Sequence, residues 1–160
     1  ADFARSLGVD GKTVASYLDL MVDLLLVRRL EPWHNNTGKR LVKSPRVYVR
    51  DSGIVHALLG IDSLEALLGH PVAGASWEGF VIESLIAAAP EATLANFYRT
   101  SAGAEIDLLP KLERGFYNAC DDIQPDRKLV IYPGSESYPH SEDIEIASLP
   151  EVAGQLAAIR

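Results

Sequence analysis

The sequence predicts an α/β protein in which a mixed sheet carries helices on both faces. Three observations predict it. Segments with helical apolar spacing alternate with short runs of strand character along the 160 residues. Apolar residues make up 48% and charged residues 23%, which is enough to bury a core and excludes a disordered tail. Charge also divides the chain. Residues 1–50 hold nine Lys/Arg against five Asp/Glu, a balance of +4, and residues 51–160 hold six against seventeen, a balance of −11. That split predicts two modules, 1–50 and 51–160, with different partners.

The first module opens with a short helix over 2–7, ended by Gly8. Asp10 caps a second helix, because its side chain accepts the free N–H groups of the first turn. Val14, Tyr17, Leu18, Met21, Leu24 and Leu25 recur at spacings of three and four and form one apolar face. Residues 26–30 read as a strand, and Asn35-Asn36-Thr37-Gly38 as a turn. Residues 39–43 and 46–50 either pair as a hairpin around Ser44-Pro45 or run on as one bent strand.

Short helix, tight turn, longer helix and basic β element resemble a winged helix-turn-helix. Residues 3–24 match its helix-turn-helix part, with Leu7-Gly8-Val9 as the turn. The fold's first supporting helix would lie upstream. The chain starts at Ala1-Asp2-Phe3, without methionine, and reads as the C-terminal piece of something longer. Between Asn35 and Arg50 there are five cations and no acid, which suits phosphate contact. The candidate DNA contacts are Lys39, Arg40, Lys43 and Arg46 on the wing. Lys12, Thr13 and Ser16 join them at the start of the second helix, where groove-reading side chains sit. Asp19 and Asp23 on the same helix oppose that role, so DNA and a protein partner both stand as readings.

In the second module, short helices run over 54–59 and 63–68, ended by Gly60 and Gly69, with Ser63 as a cap. A loop over 69–75 leads into the strongest helix, 76–89, stopped by Pro90, with Trp77, Phe80, Val81, Leu85 and Ala88 inward. Residues 93–99 and 104–109 read as an antiparallel pair. A helix over 111–123 follows, with Leu112, Phe116, Ala119 and Cys120 inward. The apolar run 128–132 is a strand buried on both faces. A loop over 133–141, a strand over 144–149 and a helix over 151–159 close the chain. On the 104–109 strand, Glu105 and Asp107 share one face while Ala104, Ile106 and Leu108 fill the other. Two carboxylates on a half-buried strand are costly unless water, a cation or a metal solvates them.

Cys120 stands alone, which excludes an internal disulfide and a cysteine-based zinc site and fits a reduced, cytoplasmic setting. No apolar run approaches the roughly 20 residues that span a bilayer, and no secretory signal is present, so no membrane partner is expected.

Five blocks follow one another in a familiar order: Arg28-Arg29-Leu30-x-Pro32-Trp33, Gly38-Lys39-Arg40-Leu41-Val42-Lys43-Ser44-Pro45, Val49-Arg50-Asp51-Ser52-Gly53, Trp77-Glu78-Gly79-Phe80-Val81 and Gly103-Ala104-Glu105-Ile106-Asp107-Leu108. Together they resemble the C-terminal region, a domain of unknown function, of a prokaryotic family of AAA-like ATP-binding proteins. The resemblance covers nearly the whole chain. It implies a preceding P-loop ATPase domain as intramolecular partner, with ATP bound there. No Gly-x-x-x-x-Gly-Lys-Ser/Thr occurs in these residues. It also implies that the second half is a restriction-endonuclease-like α/β domain of the PD-(D/E)xK type. In that resemblance Glu78 matches the helical acid and Asp107 the metal-binding aspartate, and the two would hold Mg²⁺ for phosphodiester cleavage.

The pattern then breaks. That fold requires a Glu-x-Lys strand next, yet Leu109-Pro110 runs straight into Lys111-Leu112-Glu113-Arg114, which reads as helix. Either the strand is lost and the module is a non-catalytic accessory, or the natural chain carries residues between Leu109 and Lys111 that are missing here. A structural oligomerisation region is the third reading. The plainer roles are a solvated or capping Glu78, a structural Asp107, a surface His70, and His34, His56 and His140 without ligand spacing. Trp33, Trp77 and Cys120 read as core.

Overall fold

The computed structural model describes residues 2–32, 44–90, 95–100, 105–106, 127–141 and 143–159. Helix α1 (Asp2–Leu7) ends at Gly8, whose φ of +65° needs a glycine. Helix α2 (Gly11–Asp23) is capped as expected, with Asp10 accepting from the N–H groups of Lys12 and Thr13 at 2.7 and 2.9 Å. Strand β1 (Val27–Pro32) leaves it, and β2 (Arg46–Val49) pairs antiparallel to β1 from Val27↔Val49 to Leu30↔Arg46. Residues 39–43, expected either to pair with 46–50 as a hairpin or to run on into it as a bent strand, lie outside the described residues.

Helices α3 (Ser52–Leu58) and α4 (Leu64–Leu68) follow, capped by Asp51 and Ser63. Helix α5 (Ala73–Ala88) begins three residues earlier than the sequence predicts. Its first N–H groups have no side-chain cap. Just ahead of it, the His70 ring nitrogen accepts from the Val72 N–H at 3.1 Å and shapes the turn. Strand β3 (Asn96–Arg99) lies parallel to β1 (Glu31↔Asn96, Pro32↔Phe97), and β4 (Glu105–Ile106) pairs antiparallel to β3 as predicted. The first sheet therefore runs β2-β1-β3-β4.

A second sheet has the order β5-β7-β6, with β5 (Lys128–Tyr132) parallel to β7 (Ile144–Ser148). The short β6 (Tyr138–Pro139) lies inside the predicted loop and pairs antiparallel with β7. Helix α6 (Leu149–Ala157) starts earlier than expected because Ser148 caps it and Pro150 fits its first turn. Both sheets mix parallel and antiparallel pairs, so the chain is of the α/β class. The predicted 111–123 helix, Trp33 and Cys120 lie outside the described residues.

Helix α5 organises the core. Val81 and Leu85 pack with Ile131 and Ala147 of the second sheet and with Leu149 and Val152 of α6. Ile82 packs with Leu30 and Phe97 of the first sheet. One helix thus serves two sheets. Trp77 joins the α6 side as predicted, but Phe80 is exposed and only touches Trp77, ring to ring, at 5.9 Å. Its position falls between the two buried faces. Strand β5 is buried on both sides, Ile131 toward α5 and Val130 with Ile144 and Ile146 on the other face.

Ile82→Ala should cost about 3 kcal/mol, because a fully buried side chain leaves a cavity beside Leu30 and Phe97. Phe80→Ala should cost under about 1 kcal/mol. Urea midpoints of the two variants check the difference. Gly134→Ala should loosen the turn after β5, because a Cβ there would lie 2.1 Å from the Tyr132 ring; loss of near-ultraviolet tyrosine dichroism would report it.

Candidate functional site

Strand period places Arg28 and Leu30 of β1 on one face of the ribbon, with Arg46, Tyr48 and Arg50 beside them on β2 and its extension. That face meets α5. At about 100° per residue, Glu78 and Glu83 stand about 140° apart on α5, with Gly79, Ile82 and Ile86 between them. An apolar centre flanked by two carboxylates therefore lies on a ribbon whose cations match both edges.

Glu83 accepts from Arg28 through both its oxygens, the Nη2 contact being 3.1 Å, and from Arg50 Nε at 2.9 Å. Burial pushes its carboxyl up, but the hydrogen bonds from Arg28 and Arg50 outweigh this and hold it below the usual carboxylate range. Glu78 Oε1 accepts from the Tyr48 hydroxyl at 2.6 Å and from Arg46 Nη1 at 3.0 Å. The Arg46 guanidinium also lies 5.1 Å from the centre of the Phe97 ring, within cation–π range. Burial, then the hydrogen bond to Glu78 and its charge, push the Tyr48 hydroxyl well above tyrosine's ordinary range, so it stays a donor.

The sequence-predicted residues are placed unevenly. Glu78 is half-buried in this joint, neither solvated nor a cap. Arg46 is bound to it. Lys12, Thr13 and Ser16 line an open cleft with Asp10, Tyr17 and Leu20. Lys39, Arg40, Lys43 and Asp107 lie outside the described residues. For Glu105 the backbone alone is described, opposite Arg99. Residues missed from the sequence are Glu83, Arg28, Arg50 and Tyr48. The available signal was a second acid five residues after Glu78 on an otherwise apolar helix, where an unpaired charge is costly.

A magnesium ion demands a near-octahedral set of oxygens. Glu78 carries a guanidinium against the oxygen it would offer, and like charge repels a cation. Among the described residues no three of His, Cys, Asp or Glu stand close enough to hold a metal. Asp107, the other expected ligand, lies outside the described residues. His56 Nε2 lies 2.7 Å from the buried Ser76 hydroxyl, and among the described residues no acid orients that ring, so the pair ties α3 to α5. No helix of the described residues is long and apolar enough to cross a membrane.

Two family models match the chain. Residues 1–65 match a domain of unknown function (DUF8612), and residues 73–113 match another (DUF4143) of a kind that usually accompanies AAA-type ATPase domains. The uncharacterized protein Rv2008c of Mycobacterium tuberculosis and the uncharacterized protein Mb2031c of Mycobacterium bovis are each 40% identical over 161 residues, covering 90% of this chain and 36% of their own length. The chain thus spans little more than a third of the length of the curated relatives it matches. Because 161 matched positions take in only 90% of 160 residues, the relatives carry residues in that span with no counterpart here. No solved structure matches the chain.

Glu83→Gln should lower stability at neutral pH by about 2 kcal/mol, since it leaves two half-buried guanidinium groups without a counter-charge. The folded carboxyl lies below its unfolded value. Its contribution is therefore complete above the ordinary glutamate pKa of about 4.3 and is lost as pH falls through the folded value. Denaturant midpoints measured against pH should fall less steeply on the acid side for Glu83→Gln than for the parent.

Proposed function

We propose that this chain is a non-catalytic accessory module of a larger AAA-like ATP-binding protein, formed by a winged-helix-like unit and a nuclease-like α/β unit. The observation that carries this reading is the engagement of Glu78. The residue that would be the nuclease's helical acid instead clamps α5 to β2 through Arg46 and Tyr48. The match to a domain that usually accompanies AAA-type ATPases supports the same reading. In it, ATP belongs to a preceding domain of the cytoplasmic protein, and this module supplies contact surfaces. A DNA contact would use Lys12, Thr13 and Ser16 at the open cleft together with Lys39, Arg40 and Lys43. Arg46 is already held by Glu78.

A second reading, an Mg²⁺-dependent nuclease, is favoured by one observation. The relatives carry residues without counterpart here, and a Glu-x-Lys strand is what the pattern lacks between Leu109 and Lys111. Asp107 and Glu78 would then be its metal ligands.

Incubation with duplex DNA and Mg²⁺ separates the readings. The accessory reading expects no cleavage and no change of melting temperature with Mg²⁺. Cleavage that disappears in both Glu78→Gln and Asp107→Ala would overturn it. In gel retardation, DNA contact predicts binding that weakens steeply with salt and with Lys39→Ala, Arg40→Ala and Lys43→Ala. No retention at low salt would leave a protein as the partner.

A further inference from the structure

Helix α5 starts without the side-chain cap that α2, α3, α4 and α6 have. His70 takes that place. Its ring Nδ1 accepts from the Val72 N–H at 3.1 Å, and its carbonyl accepts from the Ala73 N–H at 3.0 Å. Pro71 between them has a fixed φ and no N–H to offer, so the next donor along the chain falls to the ring. A side chain that accepts from the N–H two residues on makes the turn that Asn and Asp make with an oxygen. Here the acceptor is an imidazole, the side chain that ordinarily takes up a proton between pH 8 and pH 5. What hangs on this turn is the α3–α4 segment, in which neither helix buries a residue. Two side-chain contacts tie it to the start of α5: His56 Nε2 reaches the Ser76 hydroxyl from α3, and the His70 turn closes the chain that follows α4.

The two contacts respond differently to a proton. A hydroxyl both donates and accepts, so Ser76 can turn its hydrogen away and accept from a protonated His56. A backbone N–H only donates. A protonated His70 sets N–H against N–H, loses the bond to Val72 and places a cation at the positive end of α5. The charged side chains of the surrounding elements do not offset this. Asp51 of α3 accepts from the Gly53 N–H, Glu78 of α5 is held by Arg46 and Tyr48, and Glu83 is held by Arg28 and Arg50. Among the described residues Asp62 and Glu65, on and before α4, form no ion pair with either ring. We infer that His70 is a pH-sensitive cap, closing the turn between α4 and α5 while its ring is neutral and opening it, with the first turn of α5, when the ring is protonated. Its contribution is therefore present on the alkaline side and lost on the acid side. Neither the accessory nor the nuclease reading uses His70, so the inference stands apart from both.

Two measurements on the whole chain between pH 8 and pH 5 test it. In nuclear magnetic resonance of the parent, the Val72 amide proton should move upfield as the His70 ring takes up its proton, the direction of a lost hydrogen bond. Denaturant unfolding supplies the second. His70→Asn offers a side-chain oxygen at the same reach that takes up no proton in this range. Its folding constant should match the parent's at pH 8 and exceed it roughly fivefold at pH 5, the worth of about one hydrogen bond. His56→Gln should keep the parent's fall between those two values, because the Ser76 hydroxyl serves either form of the ring. The inference is overturned if the Val72 resonance stays fixed while His70 titrates, if His70→Asn falls with pH as the parent does, or if His56→Gln alone flattens the profile. Should His70→Asn not fold, the Val72 resonance of the parent decides.

Discussion

A helix that is apolar around most of its girth must be covered on more than one side, and α5 sets the terms for everything packed around it. Ile82 needs the first sheet, while Val81 and Leu85 need the second sheet and α6. Each cover is a separate run of chain, so neither sheet closes its core without the helix between them. The two carboxylates then fix where the helix sits. Ile82 alone would tolerate sliding along the ribbon, but Glu78 and Glu83 reach their guanidinium partners in one register only.

The ribbon's cations acquire a different meaning in this arrangement. A basic β element beside a short helical pair reads as a nucleic-acid wing, because exposed arginines without nearby acids in sequence are free to meet phosphate. The acids that neutralise Arg28, Arg46 and Arg50 lie more than thirty residues away, on α5. Local charge counting cannot see that pairing. Net charge per segment reports composition, whereas the field at a surface depends on which cations face outward.

Much of the secondary structure was legible. The caps at Asp10 and Ser63, the glycine stop at Gly8, the α5 stop before Pro90 and the buried β5 strand all follow from local chemistry. What escaped was non-local. The pairing of β2 with β1 joins segments separated by residues 33–45 and has no local signature in the sequence. Apolar spacing alone puts Phe80 inward, but α5 has two buried faces rather than one and Phe80 lies on neither. Of the candidate site, the sequence singled out Glu78 and Arg46 but not their pairing, nor Tyr48, because these residues meet across elements whose packing it left open. The other acid of the pair, Asp107, lies outside the described residues.

The parallel seam between β1 and β3 has a mechanical implication. Glu31 faces Asn96 and Pro32 faces Phe97, and the Asn96 amide donates to Glu31 O at 3.2 Å. A strand that follows directly from α2 is thereby stitched into the middle of a sheet completed some sixty residues later. Strand β1 thus joins the leading helices directly to that sheet. A cut made where the charge changes sign would strip β3 of a neighbour and bare its hydrogen-bonding edge to any passing strand.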